Sequence, residues 1–314
     1  MEANAPRGKG GATGVAPPSA ERSALQEEPS WAFGEGEEIA PGISALRLLG
    51  RARRYETYLA WHDTMLSVVV VKILRPDRAT HRSALEGLAE EARALGALDH
   101  PVLMRSFGAA LEGPRPHLVL EFLEGPRLST LIRKYGPVAV EQAVPLASQL
   151  CSALHFMAVN GWVHLDVKPK NIIMGAPARL IDLSVAHTLD EAARLDVPVG
   201  TDAYMAPEQC EPGARGTPGS PADVWGLGVT MFEALTEELP FGRGSDEDRF
   251  PQLHRDRLPF PDEVPHQLAE IVESCMVAEP SARPTARDVS EALEPLLAAL
   301  PTRPIIGRLK PRMR

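Results

Sequence analysis

Strand-like and helix-like patterns are segregated along this chain, and that order restricts its fold more than any other feature. From Ile43, the segments Leu46–Leu49, Thr57–Trp61 and Leu66–Leu74 are apolar or aromatic runs joined by short polar connections, which predicts β-strands. Residues Ser83–Leu98 then carry Leu85, Leu88, Ala92, Leu95 and Ala97 near helical spacing with Glu90, Glu91 and Arg93 between them, which predicts one amphipathic helix. Phe107–Ala110 and His117–Phe122 supply two further strands. Beyond Gly125 the strand signal fades, and helices are predicted at Val140–Val159, Pro221–Thr236, Pro265–Val277 and Ala286–Leu300. The expected class is α+β, with a small sheet-rich lobe over residues 41–123 and a larger helical lobe over 124–300.

The flanks differ in character. Residues 1–40 mix Gly, Pro, Ala, Ser and Glu without apolar periodicity, so a disordered segment is expected there. Within it, Gly8–Gly14 has the glycines of a phosphate loop but neither a Gly-Lys-Ser/Thr ending nor a preceding strand, and is read as flexible tail. Residues 301–314 form a basic tail. A net charge of −9 argues against a nucleic-acid partner. Cys151, Cys210 and Cys275 are odd in number and have no metal-ligand spacing, which fits a reduced, cytoplasmic setting. No apolar run approaches the roughly 18 residues of a transmembrane helix, so no membrane anchor is expected. Nothing in the sequence sets an oligomeric state.

Three polar segments punctuate the helical half. They are His164-Leu165-Asp166-Val167-Lys168-Pro169-Lys170-Asn171, Leu180-Ile181-Asp182-Leu183-Ser184, and Gly200-Thr201-Asp202-Ala203-Tyr204-Met205-Ala206-Pro207-Glu208. Together with Val69-Val70-Val71-Lys72 they resemble the catalytic core of protein kinases, and specifically the bacterial, eukaryotic-like (Hanks-type) serine/threonine kinases. The resemblance covers roughly residues 43–300. It implies a two-lobed kinase-like fold that binds ATP and Mg²⁺ between the lobes and phosphorylates Ser or Thr hydroxyls of protein substrates.

Carried over residue by residue, the resemblance makes Lys72 the lysine that holds the α- and β-phosphates. Glu91 is its helix partner, with Glu90 as the alternative. Asp166 is the aspartate that orients the acceptor hydroxyl, Lys168 balances charge on the transferred phosphoryl group, and Asn171 and Asp182 bind the metal. Leu120 stands at the gatekeeper position and Glu121–Leu123 at the hinge, so Glu121, Leu123, Val70 and Gly50 complete the expected nucleotide site. Glu208 is expected to pair structurally with Arg283, and Asp223 to support the catalytic loop. Lys168-Pro169-Lys170-Asn171 and Thr201 point to Ser/Thr acceptors.

The resemblance lapses at Leu49-Gly50-Arg51-Ala52-Arg53-Arg54-Tyr55-Glu56-Thr57, where Ala52 and Tyr55 replace glycines. Weak ATP binding is therefore expected, relieved by Tyr55→Gly, and a pseudokinase that binds nucleotide or acts as a scaffold is the alternative function. A small-molecule kinase is a more remote alternative. Leu165 replaces an arginine that in many kinases pairs with a phosphorylated activation segment. Activity is accordingly expected not to depend on phosphorylation of Thr188 or elsewhere between Asp182 and Glu208.

Overall fold

The computed structural model describes residues 29–300. The expected basic tail at 301–314, the Gly8–Gly14 run and residues 1–28 of the expected disordered segment lie outside the described residues. Among the described residues, six strands form one antiparallel sheet: β1 (Glu38–Ala40), β2 (Ile43–Arg51), β3 (Tyr55–His62), β4 (Ser67–Leu74), β5 (Ser106–Ala110) and β6 (His117–Glu121). Their order is β1-β2-β3-β4-β6-β5. In β4 the alternation of a strand separates two faces. Val69, Val71 and Ile73 turn outward with Tyr58 and Ala60, whereas Leu74, Leu118 and Leu120 belong to the core on the opposite side, against which Val70 packs.

The outward face needs an apolar cover, and residues 29–40 provide it. Phe33 and Ile39 are buried there, with Trp31 packed alongside. Phe33 meets the Tyr58 ring edge-on at 5.4 Å, and the Trp31 indole donates to Leu74 O at 2.7 Å. This corrects the expectation that residues 1–40 are disordered: from Pro29 onward the chain is part of the small lobe. Burial of the Trp31 and Phe33 surfaces outweighs the entropy of ordering this short, glycine-bounded segment.

Helix α1 (Arg82–Ala97) crosses the inner face. Its buried positions, Ala84, Leu88, Glu91, Ala94 and Leu95, form one stripe at helical spacing, so Glu91 is carried into the interior together with the apolar residues. After β6 the chain passes to α2 (Leu128–Tyr135) and α3 (Val140–Val159). Short pairs follow: β7 (Trp162–Val163) with β10 (His187–Thr188), and β8 (Ile172–Ile173) with β9 (Arg179–Leu180). The remaining helices are α4 (Leu189–Ala192), α5 (Pro207–Cys210), α6 (Ser220–Thr236), α7 (His266–Cys275) and α8 (Ala286–Ala299). Helix α6 is buried on nearly every side, as befits the axis of a helical lobe. At Gly226 it passes so close to the loop before β8 that a Cβ there would lie 3.1 Å from Val167 Cβ. No helix among the described residues is long and apolar enough to cross a membrane.

Candidate active site

Between the sheet and the helical lobe lies a cleft of about 790 Å³, within the range of small-molecule sites. Gly50, Val70, Lys72, Glu91, Leu120, Glu121, Leu123, Asn171 and Asp182 all line it. The sequence-derived nucleotide and metal positions therefore converge on one cavity.

Lys72 enters from β4, paired across the sheet with Thr57 and Leu118. Its ammonium donates to both Glu91 oxygens at 2.8 Å and to Asp182 Oδ1 at 3.0 Å. Glu90, the alternative, is exposed, off the buried stripe of α1. Burial works against the Lys72 charge, but Glu91 and Asp182 outweigh it and hold the lysine pKa above its usual value. Burial likewise opposes ionisation of Asp182, and the adjacent Lys72 ammonium nonetheless holds that carboxyl well below the usual range. Asp182 sits at φ +69°, the left-handed region that aspartate and asparagine tolerate better than most residues.

The loop between β7 and β8 carries the second cluster. Lys168 donates to Asp166 Oδ2 at 2.6 Å and to Thr201 Oγ1 at 2.5 Å, while Thr201 Oγ1 donates to Asp166 Oδ1 at 2.7 Å. Asn171 Nδ2 donates to the Asp166 carbonyl and to Asp166 Oδ2, both at 3.0 Å, which directs the other amide atom, Oδ1, away from that loop. Asp223, on α6, accepts from the His164 and Leu165 amides at 2.7 Å each, as expected for a support of this loop. Gly200 presses onto the same loop: at φ +128°, an added Cβ would lie 2.7 Å from Leu165 O.

Among the described residues no cluster of three or more His, Cys, Asp or Glu side chains could hold a metal. One carboxylate, Asp182, with one amide oxygen, from Asn171, is a hard-oxygen set suited to Mg²⁺ that completes its shell with phosphate oxygens and water. The donor set thus fits Mg²⁺ held jointly with a nucleotide.

Several contributors were not read from the sequence. Arg179 grips Glu121 with two hydrogen bonds of 3.2 Å, so the Glu121 side chain is occupied and its contribution to the cleft is that of its backbone. Gln209 donates to the carbonyls of Leu165 and Val199, at 2.9 and 2.8 Å. Arg93 of α1 donates to both oxygens of Glu191, at 2.8 and 2.9 Å, joining that helix to α4. No local pattern marks these pairs, because their partners lie far away in sequence.

Tyr55 lines the cleft, yet its side chain is largely buried and packs into the inner core, with the Lys72 ammonium 4.7 Å from its ring centroid. Tyr55→Gly is therefore expected to remove core packing worth about 3–5 kcal/mol. Nucleotide binding should weaken rather than tighten, because Lys72 loses the ring beside it, whereas Tyr55→Phe should be nearly neutral. Calorimetric nucleotide titration of both variants checks this, and tighter binding by the glycine variant would contradict it.

The protein kinase domain family matches residues 43–293. Among similar proteins, the serine/threonine-protein kinase PkaA of Streptomyces coelicolor is 31% identical over 265 residues, which is 80% of this chain and 48% of that protein. The serine/threonine-protein kinase Pkn1 of Myxococcus xanthus is 35% identical over 227 residues, 69% of this chain and 32% of that protein. The corresponding figures for the serine/threonine-protein kinase PknB of Mycobacterium leprae are 32% over 204 residues, 62% of this chain and 32% of that protein. The chain thus spans about a third to a half of the length of these bacterial relatives. With the lysine–glutamate pair, the Asp166 loop and Asp182 gathered on one cleft, and the family match running through both lobes, the chain belongs to the protein kinase family.

Proposed function

We propose that this protein is a cytoplasmic serine/threonine protein kinase that uses ATP and Mg²⁺. The observation that carries the reading is the closed set of Asp166, Lys168, Thr201 and Asn171, which reaches through Asn171 into the cleft that Lys72 and Asp182 line. Bound ATP would supply the phosphoryl group, with Mg²⁺ neutralising its charge. Asp166 orients the acceptor hydroxyl and takes its proton; Lys168, already beside that carboxylate, places a positive charge where negative charge accumulates. Lys72 holds the phosphates, kept in place by Glu91, while Asp182 and Asn171 hold the metal. The free, buried thiols of Cys151, Cys210 and Cys275 support a reducing compartment.

Acceptor class is tested by incubating the protein with γ-labelled ATP, Mg²⁺ and a generic protein acceptor, then hydrolysing the product. Label is expected on phosphoserine and phosphothreonine. Recovery as phosphotyrosine, or on small molecules alone, would overturn the assignment.

The second reading, a nucleotide-binding or scaffolding pseudokinase, draws on one observation. Between β2 and β3 the Ala52 amide donates to Tyr55 O at 2.8 Å, so this hairpin uses internally an amide that a phosphate could otherwise receive. Weak nucleotide binding follows from either reading; transfer separates them.

Regulation follows from Leu165 and Glu191. Leu165 is buried and cannot bind a phosphate, while Glu191 already supplies a carboxylate to Arg93. The Thr188 amide, reinforced by Arg93, lowers the Glu191 pKa to about 2, so this pairing is complete above the ordinary carboxylate range and is lost only as pH falls toward 2. Thr188 is itself engaged, its hydroxyl capping α4 by accepting from the Glu191 amide. Phosphatase-treated and untreated protein should transfer phosphate at rates within about twofold of each other. Thr188→Ala should cost only the helix cap, about 1 kcal/mol. A large loss of rate on phosphatase treatment would reveal a phosphate switch.

A further inference from the structure

Although the chain carries a net charge of −9, the mouth of the cleft is cationic. Of the carboxylates lining it, Glu91 and Asp182 are held by Lys72, and Glu121 by Arg179. The cations at the rim are not neutralised in this way. Arg51 is only loosely paired, 3.6 Å from Glu56, and the exposed Arg47, Arg127 and Lys170 form no ion pair among the described residues.

Arg127 and Lys170 are held together beside the acceptor loop. Arg127 Nη1 donates to Lys170 O at 3.3 Å, and the Arg127 backbone bridges Ile173 just beyond that loop. Lys170 lies in the same turn as Asn171, four residues after Asp166. Arginine is also a poor residue for its position. Arg127 is the N-cap of α2, makes no side-chain cap, and sets a positive charge against the positive end of the helix dipole. Its one long hydrogen bond to the Lys170 carbonyl leaves the charge without a carboxylate among the described residues, free to meet an anion outside the fold.

We infer that Arg127 and Lys170 form a substrate-reading site that selects acidic protein segments, with Asp or Glu side chains flanking the acceptor Ser or Thr. The inference rests on the kinase reading and deepens it. A carboxylate beside the acceptor hydroxyl meets two exposed cations as that hydroxyl reaches Asp166, whereas an arginine there is repelled. Because the contacts are exposed, the selection acts mainly on KM and weakens with salt.

The experiment compares three fluorescent serine peptides, flanked by Asp, Ala or Arg, on the full chain and on the double variant R127E/K170E. Anisotropy gives binding without turnover, and transfer kinetics give KM and kcat. The Asp peptide should bind about tenfold more tightly than the Ala peptide at low salt, and the Arg peptide more weakly than either. The double variant should lose or invert that order, with the KM for ATP and the kcat on the Ala peptide changed by less than about twofold. Equal binding of the three peptides, or an order unchanged in the double variant, would overturn the inference. So would a raised KM for ATP with peptide preference intact, which would assign the cations to the nucleotide. Displacement of the Asp peptide by an equal concentration of single-stranded RNA would also overturn it, in favour of a general polyanion surface. If the binding preference holds but no peptide is phosphorylated, the kinase reading fails while the acidic-segment site stands.

Discussion

Replacing Asp182 by asparagine is expected to lower phosphoryl transfer by about 1000-fold or more, with folding stability changed by less than about 1 kcal/mol. The two side chains have nearly the same volume, and asparagine also accepts the left-handed backbone at φ +69°. What changes is charge. The variant loses the anionic metal ligand of the cleft, and Lys72 is left to Glu91 alone, a pair already made with both oxygens at 2.8 Å. Because Glu91 still compensates the buried Lys72 ammonium, the substitution leaves no unpaired buried charge behind. Transfer rate, melting temperature and the Mg²⁺ dependence of nucleotide binding should be measured together. Undiminished turnover at normal stability would remove Asp182 from the metal site.

A large effect on stability is expected at Arg283. Its guanidinium meets Glu208 at 2.6 and 2.7 Å, and both side chains are 0% exposed. It also donates to the carbonyls of Val277, Pro221 and Ala278, with its charge 5.1 Å from the Trp225 ring centroid. Arg283→Met strands the Glu208 carboxylate in the interior, which costs about 3–5 kcal/mol. At about 2–4 °C per kcal/mol for a chain of this size, the melting temperature should fall by roughly 6–20 °C. Adding Glu208→Gln to that variant should recover part of the loss, because the stranded charge is gone. Thermal denaturation of the single and double variants checks both expectations; a fall of less than about 2 °C in the single variant would mean the pair is not what locks this segment.

Much of the site was legible because its polar segments resemble those of protein kinases, and periodicity set two of the residues in their elements. Lys72 follows a β-branched apolar run that identifies a strand, and Glu91 falls three residues after Leu88 on the buried stripe of α1, which is why it and not Glu90 meets the lysine. Asp166, Asn171 and Asp182 lie in compact polar segments bounded by apolar residues. Illegible were features whose cause is distant. Trp31 and Phe33 stand between Pro29 and Gly34 with no period, and their burial follows from an uncovered sheet face supplied by residues some 25–45 positions later. Helix α2, at eight residues, is too short to show a clear period, and α4 and α5 are shorter still. The burial of Tyr55 has a different cause: its place in the glycine-loop segment says nothing of packing, whereas strand parity turns it toward the inner core. Counted along β3, Tyr55 has the parity of the cleft-lining Thr57, while Tyr58 and Ala60 face the outer core.

The central claim is that the groups around Asp166 transfer phosphate and do not merely bind nucleotide. Its most direct measurement is single-turnover transfer of labelled γ-phosphate to a protein acceptor, in the native chain and in Asp166→Asn, with nucleotide affinity determined on the same samples. Transfer by the native protein should fall about 100- to 10,000-fold in the variant, at a nucleotide affinity unchanged within about twofold. A native protein that binds Mg-ATP and labels nothing, or a variant that labels as fast as the native chain, would contradict the account.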